Sequence, residues 1–398
     1  MIYVGIDWAR KHHYVVVLDP NGTRLHQQSV AHTAEALAAL AETLSDLEPD
    51  PEAVRVAIEL HDGSMLVWLA QHGYSVFPLN PKSADRARDR YNASGAKSDK
   101  GDAFVLADTL RTDAGFLRQL TPPSERAQEL LEWLQIRDGL VRERTAVLQQ
   151  LRAILDEWCP ELSRLCSDLH CQWTRALLTA FPLQQDLAGV DLARVQAACG
   201  RKFTTVTKER LEATVSAECL PIPPGRHETL RWRVRHLVAR IEQLSMEIKE
   251  IERRLQTLAD AHPYARLTWS LPVRGIVTRA ALLAIMEMAN GATWRELAAC
   301  WGVAPVTKQS GKKKSVRRRR ACDHFICQVL IQFAHCTALI EGSWAQEFYR
   351  QKRDNGAAHF TVLRQLARQW VKVLCSMWRN GTTYDERLHQ NNRNRKAA

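Results

Sequence analysis

Four carboxylates carry the chemistry most legible in this chain of 398 residues. Asp7 ends the apolar run Ile2-Tyr3-Val4-Gly5-Ile6, and Glu59 ends a second run, Val54-Arg55-Val56-Ala57-Ile58. Asp99 and Asp102 stand three apart at the start of a helical stretch, a spacing that places both on one helix face. Acids on separate elements that converge are what a hard divalent cation requires, and Mg²⁺ takes only a few of its oxygens from protein. Two such ions can activate an attacking oxygen and stabilise a leaving one on a phosphate. The pattern therefore points to strand chemistry on DNA or RNA. A single strand-end or helix-capping Asp would mean little; two acids closing core strands, with a pair opening a helix, mean more.

A second constellation lies far along the chain. Gln309-Ser310-Gly311 precedes Lys312-Lys313-Lys314-Ser315-Val316-Arg317-Arg318-Arg319-Arg320, and no acid occurs from Leu297 to Cys322. Such a cluster repels itself unless a polyanion neutralises it, which suits nucleic acid; a solvated basic loop has the same composition. Lys308, just before it, and Lys97 and Lys100, beside the acidic pair, are further candidate phosphate contacts. Ser310 carries a hydroxyl able to attack a phosphodiester if its deprotonation is assisted. A Ser-Gly pair alone is ordinary loop sequence. Leu271-Pro272-Val273-Arg274-Gly275 reads as a turn opening the apolar helix 276–288, either a plain helix–helix turn or one presenting N–H groups to phosphate.

The elements that must position these residues follow from periodicity. Residues 1–112 alternate strands and helices, with strands at 2–7, 13–18, 24–30, 54–58 and 74–79 and helices at 33–47 and 64–71. Asp19-Pro20-Asn21-Gly22 is a hairpin turn sequence. Three early antiparallel strands followed by alternating helices and strands predict a ribonuclease-H-like α/β domain. Asp108, six residues beyond Asp102, reads as a solvated surface acid, and His12 and His13 as solvated or substrate-side residues near the acids.

The middle is helical. Leu230, Val234, Leu237, Ile241, Leu244, Ile248, Ile251, Leu255 and Leu258 alternate steps of four and three, the 3.5-residue repeat of a coiled coil. An earlier stretch, 124–158, has the same seam with Arg137 and Arg144 in two of its positions. The two helices pair with each other or across a dimer. Pro221-Ile222-Pro223-Pro224-Gly225 is the loop that starts the second, and Trp133, Trp158 and Trp232 are read as packing residues. From about 263 a second helical domain begins, with a capping box at Thr293 and Glu296 and a loop over 301–311. The tail after Tyr384 reads as disordered.

Composition bounds the class. Hydrophobic content of 45% and charged content of 25% are those of a globular protein, and no run is long enough to span a membrane. The chain enters a strand at once, leaving no room for a secretory signal. Ten cysteines without a CxxC pair are read as reduced thiols in a cytoplasmic, nucleoid-associated protein. The net charge of +11 favours a polyanionic partner.

The order Gly5-Ile6-Asp7, Ile58-Glu59, Lys97-Ser98-Asp99-Lys100-Gly101-Asp102-Ala103, coiled coil, Gly302-Val303-Ala304-Pro305 and Gln309-Ser310-Gly311 resembles the DEDD-type transposases of the insertion-sequence 110 family, bridge-RNA-guided recombinases, over about residues 1–385. The resemblance implies a RuvC-like domain (1–115) whose acids Asp7, Glu59, Asp99 and Asp102 bind Mg²⁺. It implies a coiled-coil dimerisation region (120–262) and a C-terminal transposase domain (263–385) with Ser310 as nucleophile, ahead of a basic tail (386–398). It further implies a phosphoserine–DNA intermediate, a site shared between subunits, a homodimer pairing into a tetramer, and a structured noncoding RNA that pairs with donor and target DNA. Ser315 is a competing nucleophile without the adjacent glycine. The alternative is a RuvC-like, structure-selective nuclease of the Holliday-junction resolvase type, which needs no serine; a third reading is a non-catalytic nucleic-acid-binding scaffold.

Overall fold

The computed structural model describes residues 1–59, 63–79, 81–91, 98–120, 124–200, 204–289, 292–311, 313–387 and 390. They form two compact units, Met1–Pro122 and Pro123–Ala398.

The first unit is built on one sheet. Its elements are β1 (Ile2–Asp7), β2 (His12–Leu18), β3 (Arg24–Ala31), α1 (Ala34–Leu47), β4 (Val54–Ile58), α2 (Ser64–Gln71), β5 (Ser75–Pro78), α3 (Pro81–Arg88) and α4 (Asp99–Asp113). The strand order is β3-β2-β1-β4-β5. β1, β2 and β3 are antiparallel neighbours, while β4 pairs parallel to β1 and β5 parallel to β4. This is the ribonuclease-H-like, RuvC-like topology expected from the strand pattern. β1 is buried on both faces, which is why it reads as a continuous apolar run. Ile2, Val4 and Ile6 face Leu40, Leu44, Leu66 and Leu69 of α1 and α2. Tyr3, Val16 and Ala57 face Ala103, Leu106 and Leu110 of α4.

The second unit is almost wholly helical. It comprises α5 (Glu125–Trp158), α6 (Pro160–Leu165), α7 (Gln172–Ala180), α8 (Leu192–Cys199), α9 (Thr205–Ser216), α10 (His227–Asp260), α11 (Ala265–Trp269), α12 (Ile276–Met288) and α13 (Trp294–Cys300). It ends with β6 (Val306–Ser310), β7 (Lys313–Arg317), α14 (His324–Ala338), α15 (Trp344–Asp354) and α16 (His359–Asn380). The 34-residue helices α5 and α10, each about 51 Å long, pack against each other within one chain. Arg240 pairs with Glu143 and Arg137 with Glu252, so partner numbers fall as positions rise and the helices are antiparallel. The seam arginines are accommodated by polar partners: Arg137 bonds Glu252 at 2.8–3.0 Å and Arg144 reaches Ser245. At one end the pair shares a core with α6–α9, and at the other with α12–α16. Position 262 lies inside this unit, directly after α10.

Several expectations are corrected. Residues 306–317, read as loop and basic run, contain an antiparallel hairpin in which Val306 pairs with Arg317 and Ser310 with Lys313. Val306, Thr307 and Val316 are β-branched residues that favour strands, a signal that Gly, Pro and charge had obscured. Gly311 takes the left-handed φ of +55° that a two-residue hairpin loop requires. Trp232 is not a packing residue: it is 63% exposed and stacks on His236. The chain directly after Tyr384 is ordered, not disordered: Glu386 accepts hydrogen bonds from the Trp344 backbone N–H and the Tyr384 hydroxyl. Residues 391–398 lie outside the described residues.

Candidate functional site

Strand register brings the first two acids together. Ile6 pairs with Ile58 across the parallel β1–β4 ladder. Asp7 and Glu59 each follow that pair by one residue, so they leave adjacent strand ends roughly 4.8 Å apart. The second pair arrives on α4. Gly5 makes this possible: a Cβ there would sit 1.9 Å from the Ala103 carbonyl oxygen and 2.6 Å from the Ala107 nitrogen. Only a residue without a side chain lets the α4 backbone lie on β1. Ser98 caps α4, its hydroxyl accepting from the Gly101 N–H at 3.1 Å. Asp99 and Asp102 occupy the first turn, where the helix dipole favours negative charge.

The electrostatics register the convergence. The Asp7 carboxyl is pushed up from 3.8 to about 6, first by burial, then by the charges of Asp102, Asp99 and Glu59, against an opposing pull from Arg88. Arg88, on α3, donates from Nε to Asp102 Oδ1 at 2.5 Å and from Nη1 to Asp85 Oδ1 at 2.6 Å. A guanidinium thus serves as counter-ion to one member of the quartet. Sequence reasoning missed it; the only local signal was an acid–base pair at i,i+3, Asp85 and Arg88. Among the described residues, no three His, Cys, Asp or Glu side chains are close enough to enclose a metal ion between them. The donor set still fits one: all four are carboxylates, and Asp7 pays an energetic penalty for ionising that a nearby cation would remove.

Two neighbouring expectations change. His13 is buried, not solvated, and burial followed by the charges of His32 and His12 pushes it down to about 4. The Ala9 N–H donates to His13 Nδ1 at 3.4 Å, which leaves the proton on Nε2 facing His32 Nδ1 at 2.9 Å. His32 Nε2 lies 3.4 Å from the Ser64 hydroxyl. The chain of contacts ties the turn after Asp7 to the start of α2. Asp108 is likewise buried, accepting from Arg111 at 2.6 and 2.9 Å and from the Tyr91 hydroxyl. Six residues beyond Asp102 is more than one and a half helical turns, so Asp108 leaves the acidic face.

The serine and the basic run lie in the second unit. Ser310 ends β6 and Ser315 lies on β7 opposite Lys308. Lys308, Lys313 and Lys314 are strand residues of this hairpin. Arg317, Arg318 and Arg320 are exposed and Arg319 is half-buried. Lys100 is exposed on α4, whereas Lys97 and Lys312 lie outside the described residues. Among the described residues no helix is long and apolar enough to cross a membrane.

Comparison with known proteins agrees with the order of these motifs. Residues 4–160 match a DEDD-type transposase family of IS110 elements, and residues 265–350 match the family described as "Transposase IS116/IS110/IS902 family". The chain is similar to a mini-circle putative transposase for IS117 of Streptomyces coelicolor, 27% identical over 97% of this chain and 95% of that one. A putative transposase, y4uE, of Sinorhizobium fredii is 32% identical over 59% of this chain and 66% of its own. A 44.8 kDa protein of insertion element IS116 of Streptomyces clavuligerus is 26% identical over 95% of both. Among solved structures, T. thermophilus RuvC in complex with a Holliday junction substrate aligns at a TM-score of 0.24 and 17% identity, covering 30% of this chain and 99% of that one. The fold assignment stands on the strand order itself. With two transposase families matched over 4–160 and 265–350 and relatives aligned along nearly its whole length, the chain belongs to the IS116/IS110/IS902 family of transposases.

Proposed function

We propose that this transposase cuts and rejoins DNA at the two ends of a mobile element, with Asp7, Glu59, Asp99 and Asp102 as its cation-binding acids and Ser310 as its nucleophile. The observation that carries the reading is the acidic convergence at Asp7, in a chain of this family. Mg²⁺ is the cation expected at an all-carboxylate set, and when bound it supplies positive charge against the negative charge that develops on a reacting phosphate. The chain's own residues do the rest. Gly5 lets α4 lie against β1, and the Ser98 cap starts that helix with Asp99 and Asp102 in its first turn, which supports the reading. Arg88 balances part of their charge through its ion pair with Asp102.

The covalent step balances without ATP. The Ser310 hydroxyl loses its proton to a base and forms a P–O bond to the scissile phosphate. The bond from phosphorus to one deoxyribose oxygen breaks, and that oxygen takes up a proton as a free hydroxyl. Attack by the hydroxyl of the exchanged strand reverses the sequence, restores a phosphodiester and frees the serine. The basic residues Lys308, Lys312–Lys314 and Arg317–Arg320, with Lys97 and Lys100, are assigned to phosphate contacts. Residues 1–115 are read as catalytic, 120–262 as the dimerisation region and 263–385 as the serine-bearing part. A structured noncoding RNA is assigned to pair with donor and target DNA, and a homodimer to assemble into a tetramer.

A nicked suicide substrate tests the reading. The native chain with Mg²⁺ should leave a protein–DNA adduct that resists boiling in detergent. Ser310→Ala should give no adduct, and Asp7→Asn, Glu59→Gln or Asp102→Asn should abolish strand exchange. Cleavage that persists in Ser310→Ala with no adduct in any variant would make the chain a hydrolytic nuclease instead.

A further inference from the structure

The second unit holds a cavity of about 390 Å³ that the proposed chemistry does not use. Its walls come from the turn Gly302–Pro305, the exit of β7, α15 and α16. On α16 the residues Thr361, Arg364, Gln365, Arg368 and Gln369 recur at i, i+3, i+4, i+7 and i+8, one face of a helix. The opposite face, with Leu363, Leu366 and Trp370, is buried in the core, so the polar face is held rigidly toward the cavity. Gly302 closes the turn with a φ of +71°, and a Cβ there would lie 2.4 Å from Cys322 Sγ.

The lining is charged with one sign. Six cations border it: Arg317, Arg318, Arg319, Lys352, Arg364 and Arg368. No Asp or Glu does, and among the described residues none of the six forms an ion pair. The Nε groups of Arg319 and Arg368 are buried without a hydrogen-bond partner. Burial and then the neighbouring Arg318 push Arg364 down from its ordinary value, against an opposing pull from Cys327. Uncompensated guanidinium groups and orphaned buried donors are expensive unless an acceptor-rich anion joins them. Phosphate is that anion, because it offers several oxygens to a guanidinium fork. The cavity is also too large for a bare ion: its volume is at the lower end for organic ligands. The Phe348 ring on its wall, with Lys352 Nζ 6.0 Å from the ring centroid, offers an aromatic edge to a base.

We propose that this cavity seats one nucleotide of a nucleic-acid strand, its phosphate held by Arg364, Arg368 and Arg319 and its base against Phe348, beside the hairpin that carries Ser310. The inference rests on the reading of that hairpin as a nucleic-acid contact and adds residues of α15 and α16 that the basic run alone would not nominate. It differs from a diffuse basic surface in having a defined site with few members.

The test uses the full-length chain and fluorescence anisotropy of a labelled single-stranded DNA oligonucleotide and an RNA of the same sequence, from 50 to 400 mM salt. Arg364→Gln and Arg368→Gln should each weaken binding about tenfold at low salt and flatten the slope of log affinity against log salt by about 0.7, the value for one single-strand phosphate. Arg364→Lys should recover most of the slope. Arg350→Gln, an exposed α15 residue outside the cavity, should change neither. Whichever oligonucleotide shows the loss identifies the strand that occupies the seat. Ser310→Ala should bind as the native chain does, so a failure of the serine chemistry is read separately. If Arg364→Gln and Arg368→Gln melt as the native chain and keep its affinity and slope on both oligonucleotides, or lose no more than Arg350→Gln, the seat does not exist. Should either variant misfold, Lys352→Gln on α15 gives the same readout.

Discussion

Replacing Asp7 by Asn should make the protein more stable at neutral pH while destroying its strand chemistry. In the folded chain the Asp7 carboxyl titrates near 6 instead of 3.8, because it is partly buried and faces Asp102, Asp99 and Glu59. An acid whose folded pKa is raised holds its proton more tightly folded than unfolded. Below about 4 both states are protonated and there is no difference; between 4 and 6 the folded state binds more protons, so stability falls as pH rises. Above 6 the full penalty is present. The two pKa values correspond to about 3 kcal/mol as a ceiling, reduced to about 1–2 kcal/mol by solvent screening at a half-buried group. Asn has nearly the same shape and no charge. Urea unfolding of Asp7→Asn and the native chain in EDTA should therefore coincide at pH 4 and differ by 1–2 kcal/mol at pH 8, with the variant the more stable. Added Mg²⁺ should raise the native chain more than the variant and shrink the gap. If the variant is destabilised at pH 8, or the gap is the same at pH 4, the acids are not in electrostatic contact and the site as described is wrong.

Gly5→Ala should act on the same site through packing: its methyl group cannot occupy a point 1.9 Å from a carbonyl oxygen, so α4 must retreat, at about 1–3 kcal/mol in urea unfolding, and the native penalty on Asp7 at pH 8 should fall. Arg88→Gln removes a cation that offsets the quartet, so the Asp7 carboxyl should rise further above 6, and divalent-ion affinity by calorimetry should increase rather than decrease. His13, held down near 4, stays neutral in the fold while the unfolded chain protonates below 6.5, so its contribution to stability is lost as pH falls from 6.5 toward 4. His13→Gln should be less sensitive to pH than the native chain across that window, by up to about 3 kcal/mol, in the same unfolding assay.

What the sequence discloses here follows from how local each cause is. The acids at Asp7 and Glu59 were legible because apolar runs end abruptly in a charge, and parallel pairing of those runs needs only strand order to juxtapose them. The Thr293–Glu296 capping box was legible for the same reason, both of its bonds lying within four residues. The α10 seam was legible, but the choice between pairing in the chain or across a dimer depends on Arg137 meeting Glu252, 115 residues away. Asp108 and His13 read as solvated because their burial depends on Tyr91 and His32, 17 and 19 residues away; the i,i+3 pairing of Asp108 with Arg111 is a local signal but says nothing of burial. The β6–β7 hairpin was hidden because Gly311 and the run of positive charge dominate any reading of composition, while strand pairing there depends on only a few uncharged residues. Arg364 and Arg368 were invisible for a further reason: an i,i+4 pair of arginines on an amphipathic helix is ordinary until a turn and a second helix enclose it.

The two regions proposed to carry function are both places where like charges crowd together, and they do so with opposite sign. Around Asp7 the sheet and α4 press carboxylates together until one of them resists ionisation, and Arg88 relieves only part of the strain. Around Arg364 the fold presses guanidinium groups together and leaves buried donors without acceptors. A chain selected for stability alone would pair or remove such groups, since charge held partly out of water without a partner is destabilising. Their persistence makes sense if each region is completed by something the polypeptide does not supply. Cations would satisfy the first and phosphates the second, and a nucleic-acid strand accompanied by its counter-ions carries both. Stability should therefore rise with Mg²⁺ and with oligonucleotide separately. The response to the oligonucleotide should shrink in Arg364→Gln and that to Mg²⁺ in Asp7→Asn.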